Sequence, residues 1–219
     1  MTLLLPALAA LVGCGAGAVA GANQHLLYRQ AEFRAAPSRG GSAAIRRVAL
    51  VLAVGATSAI AFRWEHYDFG PALLTALFAC GLLVLASTDF ERRLLPNRLL
   101  YPLLLAALLF CWAWPDRTVG DVVLGITAAG VAGLAIFLLG LILGGPVGGL
   151  GIGDIKLMVL IGALTGWPAV MSALVFGVLL GGVPALFLIV TRRGRSYFSY
   201  GPYLVLGALV VLLLPDAFV

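Results

Sequence analysis

Residues 122–143 read VVLGITAAGVAGLAIFLLGLIL, without one charged side chain. A helix needs about 20 apolar residues to cross the hydrocarbon core of a bilayer, and this run supplies them unbroken. Outward from it in both directions the pattern repeats, at roughly 2–22, 47–62, 71–87, 99–114, 155–167, 169–191 and 201–217. Hydrophobic residues make up 62% of the 219-residue chain and charged residues 11%, against about 25% charged in a soluble domain. That leaves too little polar surface to cover a water-soluble particle. In lipid, segments of this length satisfy their backbone only as helices. The expected fold is therefore all-α: a polytopic transmembrane helical bundle of eight spans, or six or seven if the short run 155–167 is tilted, buried or re-entrant.

The charges give this bundle a direction. Twelve of the fourteen basic residues fall on odd-numbered loops: Arg29, Arg34, Arg39, Arg46 and Arg47; Arg92, Arg93 and Arg98; Lys156; and Arg192, Arg193 and Arg195. Only Arg63 and Arg117 fall on even-numbered loops. The positive-inside rule places the odd loops in the cytoplasm and both termini outside. The net charge of +5 thus reads as topology and attraction to anionic membrane lipids, not as a nucleic-acid surface. Leu11-Val12-Gly13-Cys14 fits a lipoprotein cleavage box, but no Lys or Arg precedes it, so an uncleaved first helix is expected. Residues 1–46 are read as an N-terminal transmembrane helix and cytoplasmic loop, and 47–219 as the membrane-embedded domain that carries the chemistry. Cys14, Cys80 and Cys111 lie scattered in apolar runs and offer neither a zinc spacing nor a pairing.

In so apolar a chain, ionisable residues at the edge of a span are functional candidates. One group is Ser87-Thr88-Asp89-Phe90-Glu91-Arg92-Arg93-Leu94-Leu95-Pro96-Asn97 and the other is Gly151-Ile152-Gly153-Asp154-Ile155-Lys156-Leu157. The topology puts both on the cytoplasmic side, so Asp89 and Asp154 are expected to meet. Two carboxylates held together share one proton. Such a pair can take a proton from water and give one to a leaving amine, which is peptide hydrolysis without metal or cofactor. Gly151 and Gly153, lacking Cβ, would let a second helix or an extended substrate come close. Pro96 would break the helical path and Asn97 would cap the helix that follows. Lys156 is placed to tune a carboxylate or contact substrate backbone, and Glu91 to receive a basic substrate residue.

The two motifs resemble those of the type IV prepilin peptidases, bacterial membrane aspartic proteases with an Asp followed seven residues on by Pro-Asn or Pro-Asp, and a later Gly-x-Gly-Asp-x-Lys-Leu. Gly162-Ala163, Gly166-Trp167 and Tyr200-Gly201-Pro202-Tyr203 extend the likeness, the last being similar to the family's Phe-Gly-Pro-Phe stretch. The resemblance covers about 71–210 and implies Asp89 and Asp154 as the catalytic pair. It also implies prepilin or pseudopilin substrates of a type IV pilus or type II secretion system, whose short basic leader is cut on the cytoplasmic face of the inner membrane. Longer family members carry two Cys-x-x-Cys pairs in the first cytoplasmic loop and also N-methylate the product. Those pairs are absent here, so the chain resembles a peptidase-only form with no S-adenosylmethionine site.

Other placements of the same residues read less well. Tyr67-Asp68, Gly151-Ile152-Gly153-Asp154 and Pro184-Ala185-Leu186 follow the order seen in presenilin-like proteases. The topology, however, puts Asp68 a membrane thickness from Asp154, too far to share a proton. A small transporter or non-catalytic scaffold would use the aspartates to gate a cation, but neither lies at the midplane where transporters bind. Trp64, Trp112, Trp114 and Trp167 stand at span ends as aromatic-belt anchors. The glycines of 125–140 and 177–182 are read as close-packing positions.

Overall fold

Each apolar run becomes one helix in the computed structural model, which describes residues 4–27, 43–63, 67–142, 150–190 and 199–217. The helices are α1 (Leu4–Leu27), α2 (Ala43–Ala61), α3 (Phe69–Arg92), α4 (Asn97–Leu109), α5 (Val119–Ile142), α6 (Ile152–Thr165), α7 (Ala169–Val190) and α8 (Gly201–Leu213). Single 3₁₀ turns follow α4 at Cys111–Ala113 and α8 at Pro215–Ala217. No strand occurs among the described residues. By length and composition α1, α2, α3 and α5 can each cross a bilayer, as a multi-pass membrane protein requires. The chain divides into two compact units, one of residues 1–103 with 212–217, the other of 104–211. Arg46 and Arg47, on either side of the division expected at 46/47, lie within the single helix α2.

In the first unit α1 packs along α2, and both pack on α3. Leu82 and Leu85 of α3 are fully enclosed. An apolar cavity of about 310 Å³ is lined by Leu8, Val12, Val54, Phe69, Leu73 and Cys80 among others. At one end of the unit the Tyr67 hydroxyl donates to the Leu212 carbonyl at 2.9 Å. Asp68, exposed beside Tyr67, is the N-cap residue of α3, its carbonyl accepting from the Ala72 N–H at 2.9 Å.

The second unit is organised around α6. This helix has no polar side; Leu157, Met158, Leu160, Ile161 and Leu164 are all essentially inaccessible, as a helix apolar all round must be. At 14 residues it is about 21 Å long, short of the ~30 Å hydrocarbon core. The short run 155–167 is thus a helix enclosed by protein.

Lipid gives little hydrophobic reward for bringing apolar helices together, so close contact through small residues must do it. Gly125 and Gly162 provide that contact: a Cβ on either would lie 2.4–2.5 Å from the other's carbonyl oxygen. Near Gly133, α5 meets Ile155 and Met158, so the two helices run antiparallel. Beyond the short link Gly166–Pro168, α7 runs back, and α8 pairs with it antiparallel, Gly207 lying against the Ala173 carbonyl and Gly177 against Leu204.

Trp114 is 2% exposed, with the Arg117 guanidinium 5.2 Å from the centre of its ring. It is a buried cation–π partner, not the belt anchor expected. Trp112 and Trp167 are exposed, and Trp64 lies outside the described residues.

Candidate active site

Asp89 stands in the last turn of α3 and is 5% exposed. The sequence around it ends the helix in a defined way. Arg93 takes the left-handed conformation, φ 56°, and its N–H donates to the Asp89 carbonyl at 2.7 Å. This is the αL manner of closing a helix, made by an arginine in place of the usual glycine. The chain then runs without helical structure through Leu94 and Leu95 to the buried Pro96. The Pro96 carbonyl accepts from the N–H groups of Leu99 and Leu100, both at 3.0 Å. Pro96 therefore occupies the cap position of α4, and Asn97, expected as that cap, is the first residue inside the helix. The reason is the rigid φ of proline, which suits a helix entry and cannot continue the path out of α3.

Polar side chains gather at this end of the first unit. Gln24 of α1 donates through Nε2 to Ser87 Oγ at 3.0 Å, and Thr88 donates back to the Leu85 carbonyl at 2.8 Å. Glu91 is paired with Arg46 of α2, Nη2 to Oε1 3.1 Å, both side chains largely enclosed. The sequence reading offered Glu91 as an open acceptor; the structure shows it engaged by a partner 45 residues away, whose charge had been read as topology alone. Residues two apart on a helix do not face each other, so Asp89 and Glu91 look to different sides of α3.

Asp154 stands in the first turn of α6 and is half-buried. Its Oδ2 accepts from the Gly151 N–H at 2.9 Å, while the Asp154 N–H donates to the Gly151 carbonyl at 3.0 Å. The carboxylate thus closes the carboxylate arm of a capping box and lies at the positive end of the helix dipole. The first turn of α5 has a fuller version. There Asp121 Oδ2 accepts from both the N–H and the hydroxyl of Thr118, at 2.9 and 2.7 Å, and the Asp121 N–H donates to Thr118 Oγ1 at 3.2 Å. Glycine in place of threonine removes the side-chain arm at α6.

Gly151 has an extended backbone, φ −83°, which any residue can adopt. A Cβ there would meet only its own neighbours, Asp154 and Gly153, so no second helix approaches it among the described residues. Gly153 is half-buried in the same turn. Lys156 is half-buried two positions beyond Asp154 and so faces a different side of α6.

One residue that the sequence quoted only as part of a motif comes into play here. Tyr200, just ahead of α8, has its phenol pKa raised, first by burial and then by the negative charge of Asp154. Its backbone carbonyl accepts from the N–H groups of Tyr203 and Leu204, both at 3.1 Å, which starts α8. In site terms, the first unit brings together Asp89, Glu91, Pro96 and Asn97, and the second brings together Gly151, Gly153, Asp154, Lys156 and Tyr200. Among the described residues no cluster of His, Cys, Asp and Glu could hold a metal ion.

Comparison with known proteins gives this arrangement a context. Residues 76–186 match the type IV leader peptidase family, a stretch that contains Asp89 and Asp154. A prepilin leader peptidase/N-methyltransferase of Escherichia coli is 34% identical over 168 residues, covering 75% of this chain and 72% of that protein. One from Aeromonas hydrophila is 32% identical over 151 residues, covering 68% and 52%. One from Burkholderia pseudomallei is 32% identical over 151 residues, covering 66% and 48%. The match thus spans about half the length of the latter two. No solved structure matches the chain.

Proposed function

The chain belongs to the type IV leader peptidase family, and from that premise we propose that it is an aspartic endopeptidase that removes the basic leader of prepilins or pseudopilins. The observation that carries the reading is the family match over 76–186, which holds both aspartate motifs in order.

In the proposed reaction Asp89 and Asp154 act as a pair with one proton between them. The ionised carboxylate takes a proton from water while the water oxygen bonds to the scissile carbonyl carbon. The partner gives its proton to the amine nitrogen as the C–N bond breaks. A proton then passes from the first carboxyl to the second, and the pair is reset. Apolar surroundings suit this chemistry, because they penalise two adjacent charges more than water does. The pair titrates as a unit.

The site is proposed to face the cytoplasm from the bacterial inner membrane, following the bias of basic residues across the loops. Residues 23–46 contain no cysteine. The peptidase reaction is therefore proposed without the N-methyltransferase activity in the relatives' names. The partners in this reading are a pilin-like substrate and anionic lipid.

The test is to replace Asp89 and Asp154 singly with Asn and follow conversion of a co-expressed prepilin in membranes. Each variant is expected to leave the precursor uncut while accumulating normally. Full processing by either one removes that residue from the pair.

A further inference from the structure

Asp154 is held in part by the start of its own helix. The Gly151 N–H donates to Oδ2 at 2.9 Å. The second unit's topology brings one aromatic residue to that end. Helices α5 and α6 are antiparallel through Gly125, Gly162 and Gly133; α6 and α7 are in contact and joined by only Gly166–Pro168. Helix α8 lies antiparallel on α7, with Tyr200 packed against Gly181, twelve residues into α7 from that link, as Asp154 is eleven residues before the end of α6 on its other side. The end of the unit that carries the start of α6 therefore also carries the start of α8.

The electrostatics agree with this placement. Burial, and then the charge of Asp154, raise the phenol pKa of Tyr200, so its hydroxyl keeps the proton it would donate. It also differs from the similar family stretch, where a phenylalanine carries no hydroxyl.

We propose that Tyr200 is a positioning residue for Asp154, its hydroxyl donating to the carboxylate so that Asp154 meets the attacking water as the ionised member of the pair. Two donors, one backbone and one phenolic, would then hold both oxygens while the helix N-terminus favours the charge. Asp89, in the last turn of its helix, stands at the opposite kind of helix end and takes the proton-donating role. The inference rests on the aspartic peptidase reading.

The experiment uses the full chain, reconstituted with a purified prepilin, and compares wild type, Asp154→Asn, Tyr200→Phe, Gly181→Ala and the Tyr200→Phe/Gly181→Ala double variant. Tyr200→Phe keeps the ring against Gly181 and removes only the hydroxyl. It is expected to lower kcat about tenfold, the scale of a hydrogen bond to a charged group, with KM and thermal midpoint unchanged. A Cβ on Gly181 would lie 3.3 Å from Tyr200 Cδ1, so Gly181→Ala shifts the ring with its hydroxyl intact. It is expected to lower kcat as well, and the double variant to be no slower than Tyr200→Phe alone. Unchanged kcat in Tyr200→Phe, or fully additive losses in the double variant, would overturn the role of Tyr200 while leaving the peptidase reading in place. A wild-type protein that does not cut, or an Asp154→Asn variant that does, would instead overturn the peptidase reading itself.

Discussion

Gly162→Ala puts a single methyl group into the tightest helix crossing of the second unit. That methyl carbon would lie 2.4 Å from the Gly125 carbonyl oxygen, 2.7 Å from the carbonyl carbon and 3.0 Å from Ala129 Cβ. The first two obstacles are backbone, which has no rotamer to change. Ordinary contact begins near 3.4 Å, so α5 and α6 must part by about 1 Å at this point, a gap that forfeits a quarter to a half of the dispersion energy at each facing contact. The loss runs along the seam through Ala129, Gly133, Ile155 and Met158. In the other direction, alanine is intrinsically better than glycine inside a helix by about 1 kcal/mol. Against an overpacking cost of about 1–3 kcal/mol, and no hydrophobic return from burying a methyl that lipid would also have received, the net destabilisation is about 1 kcal/mol, roughly fivefold in the unfolding equilibrium. Reversible unfolding in mixed micelles, titrated with a denaturing detergent and followed by circular dichroism, measures it. Two other helical glycines serve as controls. A Cβ on Gly182 meets nothing within 4 Å, and one on Gly130 meets only Val159 Cγ2 at 3.7 Å, so both alanine variants are expected to be neutral or slightly more stable. A Gly162→Ala protein as stable as the Gly130→Ala protein would refute the reasoning, because composition and propensity would then matter and the crossing would not.

Two further predictions concern charge. Removing Arg46 leaves Glu91 enclosed without that cation, so Arg46→Ala is expected to cost about 3 kcal/mol, while the exchanged pair Arg46→Glu with Glu91→Arg recovers most of it; the same detergent titration reads both. The raised pKa of Tyr200 means that its protonated form favours the folded state. That contribution is complete below the ordinary tyrosine value of about 10, and it is lost as pH rises through the higher folded value. Stability should therefore fall above about pH 10 in wild type and fall less in Tyr200→Phe, with phenolate absorbance near 295 nm showing the late titration directly.

How far the sequence alone could be read depended on whether the deciding interaction was local. The eight described helices were legible because apolar runs in lipid must be helical: every run from 2–22 to 201–217 is answered by one helix, α1, α2, α3 and α5 being long and apolar enough to cross a bilayer. Asp89 and Asp154 stood out as acids at span ends, a local property. That Asp154 would cap its own helix through Gly151 was within reach too, since the partners are three residues apart. Pro96 taking the cap in place of Asn97 turned on a one-residue boundary, where patterns are least sharp. What pattern did not reveal is long-range pairing. Nothing near Glu91 announces Arg46, and nothing in Tyr200-Gly201-Pro202-Tyr203 announces Asp154. The glycines show the same limit from another side. Those of 125–140 and 177–182 were read as one class, yet Gly125 meets backbone and Gly182 meets open space. Gly162, the partner that makes the crossing tight, was noticed only as part of a motif.

The far end of α6 is held as firmly as its middle. Arg117 donates through Nη1 to the Leu164 carbonyl, and the Trp167 N–H donates to the Asp121 carbonyl at 2.9 Å. Between these stops and Asp154 the helix works as a ruler of fixed pitch, 1.5 Å and 100° per residue. Its reading cannot slide, because any slip would bring Ile161 or Ala163, each with a Cβ, into the slot that admits only Gly162. The altitude and heading of the Asp154 carboxylate are thus written into the count of residues from 154 to 162. Deleting or inserting one residue in that interval would swing the acid by a quarter turn or more, while every side chain around it kept its chemistry.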